Sequence, residues 1–118
     1  MRILVVDDSE YVRVPIHDWF VACGVEVHLA ENGHAAVEKC TQNAYDVVLM
    51  DLDMPGMNGW EATDAIKRMC PTLPVIILTG SHGLAGRGQK SAVAKVLRKP
   101  MALPDLEREV RQVLAANG

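Results

Sequence analysis

Apolar residues in this chain gather in short unbroken runs that end on polar or charged side chains. Ile3-Leu4-Val5-Val6 runs into Asp7-Asp8, and Val47-Val48-Leu49-Met50 runs into Asp51. Val75-Ile76-Ile77-Leu78 runs into Thr79, and Val96-Leu97 passes through Arg98 into Lys99-Pro100. An apolar run without alternation, closed by turn residues, predicts a strand buried on both faces. A fifth, alternating stretch, Val25, Val27 and Leu29, predicts a shorter strand.

Between these runs the period changes to that of a helix. Ser9 is expected to cap a helix reaching Cys23, with Val12, Ile16, Trp19, Phe20 and Cys23 on its inner side. Pro15 falls inside it, removing one hydrogen bond at a cost of ~3 kcal/mol, so a kink or loose first turn is expected near Tyr11. Asn32-Gly33 reads as a turn, followed by a small-residue helix through Ala35, Ala36, Val37 and Cys40. Trp60 to Met69 predicts a helix with Ala62, Ala65, Ile66 and Met69 inward, stopped by Pro71 and Pro74. Leu103, Leu106, Val110, Val113 and Leu114 align on a last helix that starts near Pro104. Gly80, Gly83, Gly86 and Gly88 make the segment after Thr79 the least regular, with at most a short helix around 84–93.

The resulting order, βαβαβαβαβα, predicts a single α/β domain over residues 1–118 with a doubly wound five-stranded parallel sheet. In such a sheet all the strands' carboxyl ends share one edge, where open α/β folds bind ligands. Asp7, Asp8, Asp51, Thr79 and Lys99 would meet there.

Composition narrows the function. A chain of 118 residues with a formal net charge of −3 gives no reason for phosphate-backbone contacts, so no nucleic acid is expected as partner. No apolar run approaches the ~20 residues that span a bilayer, so no membrane association and a cytoplasmic location are expected. Cys23, Cys40 and Cys70 are odd in number and far apart, which argues against a disulfide framework or zinc site and for buried thiols. His17, His28, His34 and His82 lack metal-ligand spacing and read as surface or half-buried residues.

The edge carries the chemistry. Two carboxylates 4 Å apart repel by roughly 4 kcal/mol at an effective dielectric of 20, so three together require cations. Lys99 supplies one positive charge, and an oxygen-only donor set suits Mg²⁺, completed by a backbone carbonyl just past Asp51. Such a site can receive a phosphoryl group on Asp51, with Thr79 and Lys99 meeting its oxygens.

These residues carry a resemblance. Asp7-Asp8, the stretch Asp51-Leu52-Asp53-Met54-Pro55-Gly56-Met57-Asn58-Gly59, Thr79 and Lys99-Pro100 together resemble the receiver domains of two-component response regulators, the CheY-like family, over the whole chain. The resemblance implies a flavodoxin-like (β/α)5 fold with strand order 2-1-3-4-5. It further implies that Asp51 is the phosphoacceptor and that Mg²⁺ is held by Asp8, Asp51 and the Asp53 main-chain carbonyl, with Asp7 assisting through water. Thr79 and Lys99 would contact the phosphoryl oxygens, and the Lys99-Pro100 peptide would be cis. The implied donor is a phosphohistidine on a sensor histidine kinase or phosphotransfer protein, and the implied result is altered binding of a downstream effector. Asp53 and Ser81 would flank the path of the hydrolytic water. Such a domain is not an enzyme beyond assisting its own phosphorylation and dephosphorylation, and is expected as a monomer or weak dimer.

The sequence departs from the family pattern where output is read. Val96 stands where many receivers carry Tyr or Phe, Gly80 where alanine is common, and Met101 where Phe is frequent. Valine has no ring to swing inward. The glycine-rich segment 80–92 is expected to order on phosphorylation or partner binding. Two rival functions are a pseudo-receiver that binds partners without phosphorylation, and an aspartyl phosphatase like the haloacid dehalogenases. The second is suggested by Asp51-Leu52-Asp53, but Met54 and the short chain oppose it.

Overall fold

A computed structural model describes residues 1–80 and 93–117. In chain order its elements are β1 (Arg2–Val6), α1 (Glu10–Ala22), β2 (Glu26–Ala30), α2 (Gly33–Gln42) and β3 (Val47–Asp51). These are followed by α3 (Gly59–Met69), β4 (Val75–Thr79), β5 (Lys95–Arg98) and α4 (Leu103–Asn117). The short helix expected around 84–93 and the ordering expected of segment 80–92 fall almost wholly outside the described residues. No described helix is long and apolar enough to cross a membrane.

The strands form one parallel sheet in the order β2-β1-β3-β4-β5. β3 and β4 are buried along their full length. Because side chains alternate across a sheet, each run feeds two cores. Leu4, Val6, Val48, Met50, Val75 and Ile77 pack on one face with Ala36 and Cys40 of α2 and Ala62 and Ile66 of α3. Ile3, Val5, Val47, Leu49, Ile76 and Leu78 pack on the other with Ile16 and Phe20 of α1 and Leu106, Val110 and Val113 of α4. Phe20 is fully buried, and its truncation to alanine is expected to cost about 3–5 kcal/mol.

Local chemistry explains most element ends, with some departures from the sequence reading. Ser9 occupies the N-cap position of α1, yet its side chain makes no capping bond. Its backbone N–H instead donates to Asp7 Oδ1 at 2.9 Å, which makes the residue part of the acidic edge. α1 runs unbroken across Pro15. Its first turn is closed, not loose, since the N–H groups of Val12 and Arg13 both donate to the Ser9 carbonyl. Tyr11, whose carbonyl loses its donor to the proline, is 86% exposed, so water can replace the missing bond.

Asn32-Gly33 is a helix start. The Asn32 side chain accepts from the N–H of Ala35 at 2.7 Å, and Gly33 is the first residue of α2. α3 begins on a capping box in which Asn58 Oδ1 accepts from Glu61 N at 2.9 Å and Glu61 Oε1 accepts from Asn58 N at 3.0 Å. Met69 faces solvent, not the core. Ala62 and Ile66 fill the buried stripe of α3, and Met69 stands in its last turn, just before the chain leaves the helix at Cys70. Cys40 is buried and Cys70 half-buried, but Cys23 is exposed, contrary to expectation, because it lies past the last turn of α1.

Candidate functional site

The sheet register assembles the site. Val6 pairs with Met50, which brings the next residues, Asp7 and Asp51, level on adjacent strands. Asp51 pairs with Leu78 and Thr79 with Arg98, so Thr79 and Lys99 follow one step along on the neighbouring strands. Backbone bonds continue the alignment beyond the strands. Leu52 N donates to Leu78 O at 3.0 Å, and Lys99 N donates to Thr79 O at 2.8 Å. The Lys99-Pro100 peptide is cis.

Three carboxylates meet here. Oxygens of Asp7, Asp8 and Asp51 lie within 4.8 Å of one another, with Asp7 and Asp51 each only 2% exposed and Asp8 open to solvent. Lys99 Nζ reaches in from β5, 3.0 Å from Asp51 Oδ1 and 3.3 Å from Asp7 Oδ2. Asp7 is otherwise held by Ser9 N on Oδ1 and by its own N–H donating to Ala30 O at 3.1 Å. Asp53 N approaches Asp51 Oδ1 at 3.3 Å, while the Asp53 residue as a whole is exposed. Thr79 is buried at the end of β4. All the residues singled out in the sequence therefore stand at one edge, except that Ser81 lies outside the described residues.

The electrostatics are those of a cation site. Burial pushes the Asp51 carboxyl up from an ordinary 3.8 to about 6, and the charge of Asp7 adds to that, against the hydrogen bond from Lys99. Burial by itself would lower the Lys99 ammonium, but its hydrogen bond and charge pairing with Asp51, with Asp7 behind, carry it above its usual value. One ammonium does not neutralise three carboxylates. The remaining negative charge, offered entirely through oxygen atoms with one open face at Asp8, fits a hard divalent cation.

Three further residues pack on the segments that carry the pocket's side chains, without any sign in the hydrophobic pattern. Arg13 Nη1 donates to the Asp7 carbonyl at 2.6 Å, bracing the end of β1 from the first turns of α1. Its one sequence signal is an arginine placed four residues after Ser9 on a helix that starts beside the acidic pair. Gly59 and Gly33 act by what they lack. A Cβ on Gly59 would stand 2.4 Å from the Asp51 carbonyl oxygen, and one on Gly33 would stand 2.9 Å from the Met57 carbonyl oxygen.

A five-stranded sheet of this order, with a lysine-bridged acidic pocket at its carboxyl edge, defines a CheY-like α/β signalling domain. A family model for the response regulator receiver domain matches residues 3–111. The chain belongs to that family, the receiver domains of two-component signalling. It is 36% identical over 118 residues to protein PilH of Pseudomonas aeruginosa, covering 97% of this chain and 98% of PilH. It is likewise 36% identical over 121 residues to the sensor protein GacS of Pseudomonas syringae pv. syringae, covering 96% of this chain. The chain spans only 13% of GacS. Among solved structures it matches the response regulator TrrA of Thermotoga maritima, crystallised in complex with Mg²⁺-BeF, at a TM-score of 0.85 and 31% identity. That match covers 95% of this chain and 97% of TrrA.

Proposed function

We propose that Asp51 is the phosphoacceptor of a two-component phosphorelay, receiving its phosphoryl group from a phosphohistidine on a sensor histidine kinase or phosphotransfer protein. The observation that carries this reading is Lys99 Nζ set 3.0 Å from Asp51 Oδ1 beside a cluster of three carboxylates. Asp8, Asp51 and the main-chain carbonyl of Asp53 would hold Mg²⁺, with Asp7 assisting through water. When bound, Mg²⁺ supplies positive charge to the phosphoryl oxygens and to the crowded carboxylates. The complex of the related TrrA with Mg²⁺-BeF supports this choice of ion.

The chain's own residues supply the rest. In the metal-free pocket burial raises the Asp51 carboxyl to about 6, so it is still mostly ionised at neutral pH and offers a lone pair for attack. An oxygen of Asp51 forms a bond to phosphorus as the phosphorus–nitrogen bond of the donor breaks, and the electron pair returns to the imidazole. Lys99 and the Thr79 hydroxyl donate to the phosphoryl oxygens in place of water. The aspartyl phosphate that results would alter binding of a downstream effector. Catalysis is confined to the domain's own phosphorylation and dephosphorylation. That a stretch of the sensor GacS aligns with nearly the whole chain supports a kinase or phosphotransfer protein as donor.

Incubation with acetyl phosphate and Mg²⁺, followed by intact-mass measurement, tests the reading. A single phosphoryl adduct on the native chain and none on Asp51→Ala is the expected result. No adduct on the native chain would return the function to partner binding without phosphorylation. Multiple turnovers of p-nitrophenyl phosphate would instead indicate a phosphatase.

A further inference from the structure

The β3–α3 connection, residues 52–58, carries the Asp53 carbonyl and follows directly on Asp51. It is gripped at both ends by residues without side chains. At its start, Gly59 lies so close beneath β3 that a Cβ would stand 2.4 Å from Asp51 O and 2.8 Å from Leu52 Cα, and Gly59 N donates to Leu52 O at 3.1 Å. At its end, Met57 sits over Gly33, where a Cβ would meet Met57 O at 2.9 Å and Met57 Cβ and Cγ at 3.0 Å. Gly33 is buried and has no left-handed backbone. Conformational freedom therefore does not explain it. Contact does, since the nearest obstacle is main chain, which cannot turn aside as a side-chain tip can.

We infer that Gly33, at the start of α2 and remote from the chemistry, is a positioning residue that sets the height of the 52–58 connection and hence of the Asp53 carbonyl relative to the Asp51 carboxylate. The inference rests on the phosphoacceptor reading above. Two forces oppose each other in Gly33→Ala. Alanine favours the helix over glycine, while its methyl group must push the Met57 backbone outward. The helix gain and the loop shift should thus separate stability from function.

The experiment compares the native chain, Gly33→Ala and His34→Ala, whose exposed side chain is next in sequence. Each is scored for melting temperature without metal, for the rate of adduct formation with acetyl phosphate, and for the Mg²⁺ concentration giving half that rate. For Gly33→Ala the expected result is a melting temperature close to the native one, the two effects offsetting each other, with a higher half-saturating Mg²⁺ concentration. Its saturated rate should fall by about tenfold or more, as small misplacements of reacting groups do. His34→Ala should match the native chain throughout. A rate and Mg²⁺ dependence for Gly33→Ala equal to the native values would overturn the inference, as would a slower rate that tracks a lower melting temperature with unchanged Mg²⁺ dependence. If Gly33→Ala does not fold, Met57→Gly opens the same contact from the loop side, and an unaltered Mg²⁺ dependence there also overturns it. Failure of the native chain to take any adduct is a separate outcome, and it overturns the phosphoacceptor reading on which the inference stands.

Discussion

Lys99 Nζ and Asp51 Oδ1 stand 3.0 Å apart although the two residues are 48 positions apart in sequence, and the pair is formed without displacing the contact of the same ammonium with Asp7. The lysine bridges the two buried carboxylates. It offsets part of their repulsion but leaves Asp51 titrating near 6.

The first prediction concerns pH. Because the folded-state value of Asp51 is raised, the folded protein holds this proton more tightly than the unfolded chain does. The associated stability is complete below pH 3.8 and is lost as pH rises through about 6. In chelator, urea denaturation of the native chain should show up to about 3 kcal/mol lost from this group across that window. Asp51→Asn should flatten that slope and be about 1–3 kcal/mol more stable than the native chain at pH 7.5. A native curve with no such loss, or a variant less stable at pH 7.5, would contradict the burial cost assigned to Asp51.

A second prediction follows from charge at the pocket. Adding Mg²⁺ to the chelated protein should raise its unfolding free energy by about 2.7 kcal/mol at a hundredfold excess over the dissociation constant, and its melting temperature should rise with Mg²⁺ concentration. Asp8→Asn should remove most of that shift, since Asp8 is the open-faced member of the cluster. Thermal melts over a Mg²⁺ series with Ca²⁺ in parallel check it, and an equal shift in native and Asp8→Asn proteins would place the ion elsewhere.

Lys99→Ala separates binding from chemistry. The variant keeps all three carboxylates and should still respond to Mg²⁺, but its adduct with acetyl phosphate should form about 10²-fold more slowly, the usual cost of losing one donor to developing charge. Stopped-flow or quenched mass measurements provide the rate. A near-native rate would mean that the lysine neutralises the resting pocket and takes no part in transfer.

The capping box of α3 offers a test away from charge. Asn58→Ala removes the acceptor for Glu61 N and should cost about 1 kcal/mol by denaturant melting. Because Asn58 also ends the connection that leaves Asp51, a small rise in the Mg²⁺ requirement should accompany the loss. Asp64→Ala, on the same helix and half-buried, should leave the Mg²⁺ requirement unchanged.

Much of this molecule is legible in its sequence because the strands are uninterrupted apolar runs, and a polar residue that ends a run marks the sheet edge. Asp7, Asp51, Thr79 and Lys99 are all found that way. Helix faces are read less securely. Periodicity places Met69 and Cys23 on inner faces, but Met69 stands in the last turn of α3 and Cys23 just past α1, where both are exposed. Ser9 looks like a cap because serine caps helices, yet its side chain makes no capping bond while its N–H serves Asp7. Gly33 and Gly59 are least legible of all. A glycine shows locally as a turn, whereas their reason is the backbone of another segment, Met57 for Gly33 and Asp51 and Leu52 for Gly59.

Met57 and Asn58 anchor one end of the 52–58 connection and Leu52 the other, while Pro55 and Gly56 between them face solvent. At the crown Gly56 takes a φ of +75°, a left-handed conformation in which any side chain is strained, so the crown is held by its own backbone as the feet are held by contact. A side chain placed at residue 56 would therefore act on the whole arch and not on its rim alone.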